Sequence, residues 1–386
     1  MYEFCENIFN VGVDDKIIDL FEGMYKVPQG VAYNSYVIKD EKTAVIDTVG
    51  VGFHAEWLKN IEGVLGQTVP DYLIVQHMEP DHSACIEKFV RKYPQARVVG
   101  NKKTFVMLEE YFGKDFVADR VEVNDGDELC LGKRNLKFVF APMVHWPEVM
   151  FTYVNREGIL FSADAFGKFG ASDADEEWVG EARRYYIGIV GKYGAQVKAV
   201  LGKLSGYALN VVAPLHGPVL SGKALQTALE YYAVWSGYKP ETNGVLVAYA
   251  SVYGHTKRAA CLLAELLKEG GEEVKLVDLA RDDWAECVAL AFAYSKLVIA
   301  SVTYNGEIFP AAREFIDRLT ERNYQNRTVA FIENGSWAPV CAKLMRARLE
   351  KCKNLTFAQT EVKVRSALNG ESEGRIKALC EELLNL

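Results

Sequence analysis

No Cys-x-x-Cys pair occurs among the eight cysteines of this 386-residue chain. Their scatter excludes a cysteine-ligated zinc site, an iron–sulfur cluster and an appended rubredoxin-type module, and fits reduced thiols packed as small hydrophobes. Cations are outnumbered, 44 Lys and Arg against 52 Asp and Glu, which leaves a net charge of −8. A nucleic-acid partner would need a basic face, so none is expected. No apolar run reaches the roughly 20 residues that cross a bilayer, so no membrane association is expected. Residues 1–16 carry acids early and no basic segment leading into an apolar one. A signal peptide is therefore not expected, and the expected location is the cytoplasm. Histidine is scarce too, with six in the chain, so where those six fall is informative.

What remains is an ordinary globular composition, 49% apolar and 25% charged. The length favours more than one domain. Short β-branched and aromatic runs bounded by Gly, Asn, Asp or Pro fill the first part: 32–40, 42–50, 71–76, 97–100, 136–142, 150–158 and 158–164. Helical stretches intervene at 83–93 and from about 176 to 206, the latter with Ser172 or Asp173 as its expected N-cap. From Val245 the pattern becomes strict alternation. Apolar strands at 245–251, 273–279, 296–302, 328–334 and 355–364 are each followed by a helix. Five such units predict a doubly wound parallel sheet. The break at 238–243 predicts a linker, and hence domains at 1–242 and 243–386.

Two of the six histidines lie in Gln76-His77-Met78-Glu79-Pro80-Asp81-His82, after an apolar strand and before a helix. In an extended loop, positions 77, 79 and 81 face one way. His145, Asp164 and His216 also stand where strands end, which is where the site residues of layered sheets collect. Unrelated loop polars would not be expected to place seven potential ligands, four of them histidines, in one kind of context.

The pattern resembles the metallo-β-lactamase superfamily, whose usual motif is H-x-H-x-D-H followed by separate His, Asp and His ligands. Here Glu79 replaces the second histidine. A carboxylate is harder than imidazole and shifts preference from zinc toward iron. The H-x-E-x-D-H form is that of the flavodiiron proteins. That resemblance implies a two-domain α/β chain: an N-terminal metallo-β-lactamase-like αββα sandwich and a C-terminal flavodoxin-like sheet of order 2-1-3-4-5. It implies two non-haem irons with an oxo or hydroxo bridge. His77, Glu79 and His145 would hold one iron, Asp81, His82 and His216 the other, and Asp164 would bridge them. In some members the residue matching His82 is not a ligand.

Three loops of the second half match FMN-binding segments of that family. Ser251-Val252-Tyr253-Gly254-His255-Thr256 sits at a strand-to-helix turn, where backbone N–H groups, hydroxyls and the helix N-terminus can surround a phosphate. It lacks the lysine of a nucleoside-triphosphate loop. Thr303-Tyr304-Asn305-Gly306-Glu307 and Asn334-Gly335-Ser336-Trp337-Ala338 follow the third and fourth strands, each with a glycine and an aromatic that could meet a flat ring. In a sheet of order 2-1-3-4-5 the three loops meet at the switch point. His255 is expected to point outward, and His54 has no site context.

With both domains matched, the resemblance implies a flavodiiron oxidoreductase that reduces O2 to water, NO to N2O, or both, with FMN relaying electrons. An external donor, a rubredoxin-like protein or a reduced deazaflavin coenzyme, would supply them. A head-to-tail homodimer, or a tetramer built from it, would bring the FMN of one chain to the irons of another. A zinc hydrolase of lactamase fold would leave the flavin loops without use, and a non-catalytic electron carrier would leave the seven ligands without use.

Overall fold

The computed structural model describes residues 1–386 except 115, 117, 118 and 176. The chain forms two compact units. The first is Met1–Tyr186 with Ala195–Ala233, and the second is Ile187–Gly194 with Val234–Leu386.

The first unit holds a seven-stranded and a six-stranded sheet. Ala44–Ile46, Tyr72–Ile74 and Ile159–Phe161 are buried at every residue. A strand buried on both faces needs a second layer on each side. The other sheet supplies one layer: Tyr36 of the first sheet meets Phe161 of the second at 5.0 Å between ring centroids. Helices supply the other. His54–Leu65 buries Trp57, Ile61 and Leu65, a stripe spaced by four residues, and Lys102–Phe112 buries Thr104, Phe105 and Leu108.

Strand direction decides where the site forms. Ala44–Ile46, Tyr72–Ile74 and Arg97–Gly100 run parallel to one another in the first sheet. Ile159–Phe161 and Val211–Ala213 run parallel in the second. The chain segments leaving these strands thus exit at a shared edge of each sheet. His77, Asp164 and His216 each come three residues after a strand ends, after Ile74, Phe161 and Ala213 respectively.

The second unit has the strand order Val274–Asp278, Thr242–Tyr249, Tyr294–Tyr304, Thr328–Asn334, then Thr356–Phe357 with Val362–Val364, all parallel. In chain order this is 2-1-3-4-5, the order that the flavodoxin-like resemblance implies, in the parallel sheet that the alternation predicts. One face of the sheet packs Val245, Val247 and Tyr249 against Ala260, Leu263 and Leu267 of the helix His255–Glu269 and against Ile376 and Leu379 of the last helix.

Two local expectations are corrected. The last strand, expected over 355–364, is split, because the N–H groups of Gln359 and Thr360 turn to the Glu382 carboxylate at 2.7 and 2.8 Å. The helix expected from about 176 begins at Trp178, and neither Ser172 nor Asp173 caps it. Ser172 instead donates to Asp14 from both its N–H and its hydroxyl, and Asp173 pairs with Lys16. No helix among the described residues is long and apolar enough to cross a membrane.

Candidate functional sites

The metal candidates gather into two adjacent groups in the first unit. His77, Glu79, His145 and Asp164 form one, and Asp81, His82 and His216 the other. Within each group the potential ligand atoms lie within 4.8 Å of one another. The extended-loop expectation holds only for His77 and Glu79. Pro80 starts a helical turn, Pro80–Ser83, which turns Asp81 and His82 to the second group.

Asp164 faces both groups. Its Oδ2 lies 2.9 Å from His145 Nε2 and 3.4 Å from His77 Nε2. Its Oδ1 lies 3.3 Å from His82 Nε2 and 3.8 Å from His216 Nε2. Glu79 stands 3.2 Å from His77 and 3.0 Å from His145. In the second group the Nε2 atoms of His82 and His216 face each other at 3.0 Å. Asp81 lies 3.2 and 3.4 Å from those nitrogens.

Burial gives this arrangement its chemistry. His77, His82, His216 and Asp164 are almost fully excluded from solvent. Burial alone would disfavour every charge here. For His77 it is outweighed by Asp164, Glu148 and Glu79, which hold the imidazole pKa well above its usual value. For His145 it is outweighed by Asp164 and Glu79, and the pKa rises to about 9. Burial likewise pushes the Asp164 and Glu79 carboxyls up, but the histidines around them pull both well down. Both Asp81 oxygens, Asp164 Oδ1 and His82 Nδ1 are buried without a well-directed hydrogen bond. Buried polar atoms without partners are rare in native proteins. Here they ring two points at which carboxylate oxygens and imidazole nitrogens converge, a donor set suited to divalent transition ions.

Two functional residues escaped the sequence reading. Glu148 is fully buried, and its Oε1 accepts from His77 Nδ1 and from Met78 N–H, each at 2.8 Å. Its signal is an acid three residues after a candidate ligand, in His145-Trp146-Pro147-Glu148. Asp47 follows the strand Ala44–Ile46, so the strand-end rule that selects Asp164 would have found it. Its carboxylate accepts from Gln76 N–H at 2.7 Å, Gln76 Nε2 at 3.0 Å and His77 N–H at 3.3 Å, while burial raises its pKa to about 6. Asp47, Met143 and Ala163 all have positive φ without being glycine. Such strained backbone clusters at sites that demand a set geometry.

In the second unit, Ser251–Thr256 turn from the first strand into the helix His255–Glu269. Gly254, the N-cap, has φ +90°, and no side chain caps the helix. The first N–H groups of that helix are thus left for another acceptor. Ser251 Oγ accepts from Gly254 N–H at 3.1 Å, and Thr256 Oγ1 accepts from Asn334 Nδ2 at 3.3 Å, which links the first loop to the third. His255 departs from expectation: it is half-buried, and its Nδ1 is buried without a partner. In the second loop Asn305 and Gly306 both take positive φ, and Thr303 Oγ1 accepts from Val340 and Cys341 N–H at 2.9 and 3.1 Å. In the third, Ser336 Oγ accepts from Ser366 at 2.8 Å. A Cβ on Gly335 would come within 3.0 Å of Pro339. Tyr253 and Trp337 are 91% and 83% exposed, and Val252 and Tyr304 are also exposed. Large exposed aromatics around an uncapped helix start fit a planar, phosphate-bearing cofactor. His54 stands apart, its Nδ1 3.0 Å from the Val51 carbonyl oxygen.

Residues 31–217 match the family described as ODP family beta lactamase, and residues 246–362 match a flavodoxin domain. An uncharacterized protein of Methanocaldococcus jannaschii is 33% identical over 81% of this chain and 80% of its own length. A nitric oxide reductase of Moorella thermoacetica is 30% identical over 98% of this chain and 96% of its own. Among solved structures, the rubredoxin oxygen:oxidoreductase of Desulfovibrio gigas superposes with a TM-score of 0.92 at 25% identity, over 100% of this chain and 98% of that one.

Proposed function

Because this chain belongs to the flavodiiron protein family, whose members are oxidoreductases, we propose that it reduces O2, NO or both at a diiron centre with electrons relayed by FMN. The observation that carries this reading is Asp164, whose two oxygens address two separate groups of nitrogen and carboxylate ligands. His77, Glu79 and His145 would hold one iron and Asp81, His82 and His216 the second, with Asp164 shared. The loops 251–256, 303–307 and 334–338 would hold FMN. The chemistry that FMN and two irons supply when bound is reduction of O2 to two waters with four electrons, or of two NO to N2O and water with two.

The chain's own residues prepare for that chemistry. Glu79 and Asp164 provide anionic oxygens that balance two divalent cations. The buried walls keep bulk water from the ligands and strengthen each charge interaction. The N–H groups at the start of the helix His255–Glu269 would orient the FMN phosphate, and Trp337 or Tyr304 would cover its ring. Electrons would come from a separate donor, a rubredoxin-like protein or a reduced deazaflavin coenzyme. The assembly proposed is a head-to-tail homodimer, or a tetramer built from two such dimers.

Metal analysis and a visible spectrum of protein from iron-replete cells test the reading. About two irons and one flavin per chain are expected. Reduced protein mixed with O2 or with NO then identifies the substrate by the rate of flavin reoxidation. A purely zinc-loaded, colourless protein would overturn the proposal.

A further inference from the structure

The imidazoles of the two metal groups are not supported alike. His77 Nδ1 donates to the buried carboxylate of Glu148 at 2.8 Å. His216 Nδ1 donates to a neutral acceptor, the Ala32 carbonyl, at 2.9 Å. His82 Nδ1 is buried and has no partner. Glu148 is itself held in place. Its Oε1 also accepts from Met78 N–H, and its main-chain carbonyl accepts from Asn101 Nδ2 at 2.5 Å. Asn101 in turn caps the helix Lys102–Phe112 through Lys103 and Thr104 N–H. Trp146 packs edge-on against the His77 ring at 5.3 Å. The His77 ring is thus fixed in plane and in tautomer, with Nε2 aimed at Glu79 and Asp164.

A carboxylate behind a ligating imidazole raises its basicity and fixes the nitrogen that binds. Resting on the diiron reading above, we propose that Glu148 is a positioning residue that makes the His77–Glu79–His145 pocket the tighter of the two metal sites and the first to fill. The asymmetry lies in this chain's own side chains and precedes any metal. A charged acceptor stands behind the first pocket, while a carbonyl and an unpartnered nitrogen stand behind the second.

The test uses full-length protein stripped of metal by chelation but retaining flavin, titrated with Co2+ without oxygen and followed by its visible d–d bands and by calorimetry. Wild type is expected to bind in two resolved steps. His82→Ala should remove the weaker step and so assign the stronger one to the His77 pocket. Glu148→Gln keeps size and an acceptor oxygen but loses the charge, and should weaken only the stronger step, by about 10-fold. Glu148→Ala should weaken it by about 100-fold, the two spanning the range known for such support. Flavin content and far-ultraviolet circular dichroism report that each variant is folded, and the Gln variant decides the matter if Ala fails to fold. Unchanged affinities in Glu148→Gln, or equal weakening of both steps, overturns the inference while leaving the diiron reading intact. Failure of wild type to bind two Co2+ overturns both.

Discussion

Asp164 carries the largest burden of any single side chain. Fully buried, it meets His145 with one oxygen and His82 with the other at 2.9 and 3.3 Å. Asp164→Asn keeps the shape but removes the charge and replaces one acceptor with an amide nitrogen. Metal content should fall by about one equivalent or more per chain, with flavin unchanged, as elemental analysis and absorbance would report. Full metal content would show that no shared carboxylate is needed. The histidines make a separate expectation about pH. In the metal-free protein the pKa of His145 stands near 9, so it is cationic at pH 7, while nearby carboxylates hold that of His77 above its usual value as well. A metal must displace the His145 proton. Affinity should therefore rise with pH until about 9, and binding at pH 7 should release at least ~1 proton. Calorimetry in buffers of different ionisation heat measures that release directly. Binding without proton release would remove His145 from the ligand set.

At the scale of elements, the loop at Gly254 joins strand to helix with φ +90° and leaves the helix uncapped. A Cβ there would touch nothing within 4 Å, so the first carbon of a side chain at 254 meets no neighbour in the protein. Gly254→Val costs about 1–2 kcal/mol of backbone strain and places a branched side chain where a phosphate must approach. The expected product is colourless protein that still binds metal, and unchanged flavin occupancy would take this loop out of the site. The sheet of the second unit was legible in the sequence because each strand is a short apolar run followed by a helix-period segment, which predicts a doubly wound parallel sheet, while its order was implied by the flavodoxin-like resemblance. The metal groups were legible because a strand's end is marked by composition, and His77, Asp164 and His216 each follow one by three residues. Glu148, the split last strand and the true start of the helix at Trp178 were not. Each depends on a hydrogen bond from distant sequence: His77 to Glu148, Gln359 to Glu382, Ser172 to Asp14. Local pattern does not record which distant group each one meets, and the acid three residues after His145 marks Glu148 only as a candidate. The expectation that positions 77, 79 and 81 face one way failed for a different reason, at Pro80, where a helical turn re-aims Asp81.

For the whole molecule, the question is how electrons cross from flavin to iron. The two candidate sites lie in different compact units, each with its own sheets. The first unit, of about 225 residues, has a radius of gyration of ~17 Å. Chain connectivity therefore does not oblige the flavin to lie near the irons of its own chain. A two-fold axis offers another solution, since a head-to-tail pair sets the second unit of each chain against the first unit of its partner. The expectation can be checked with two inactive variants. Glu79→Ala loses a metal ligand but keeps flavin, and Gly254→Val loses flavin but keeps metal. Mixed under conditions that exchange subunits, they would form, in the proposed assembly, heterodimers in which the flavin of one chain faces the intact metal centre of the other. Part of the O2 or NO reduction should return, up to about half of the hybrid's sites, because only one of its two flavin–metal pairs is complete. Subunit exchange can be followed independently by a mass tag on one variant. If exchange is complete and no activity returns, electrons pass within a single chain and the head-to-tail arrangement is wrong.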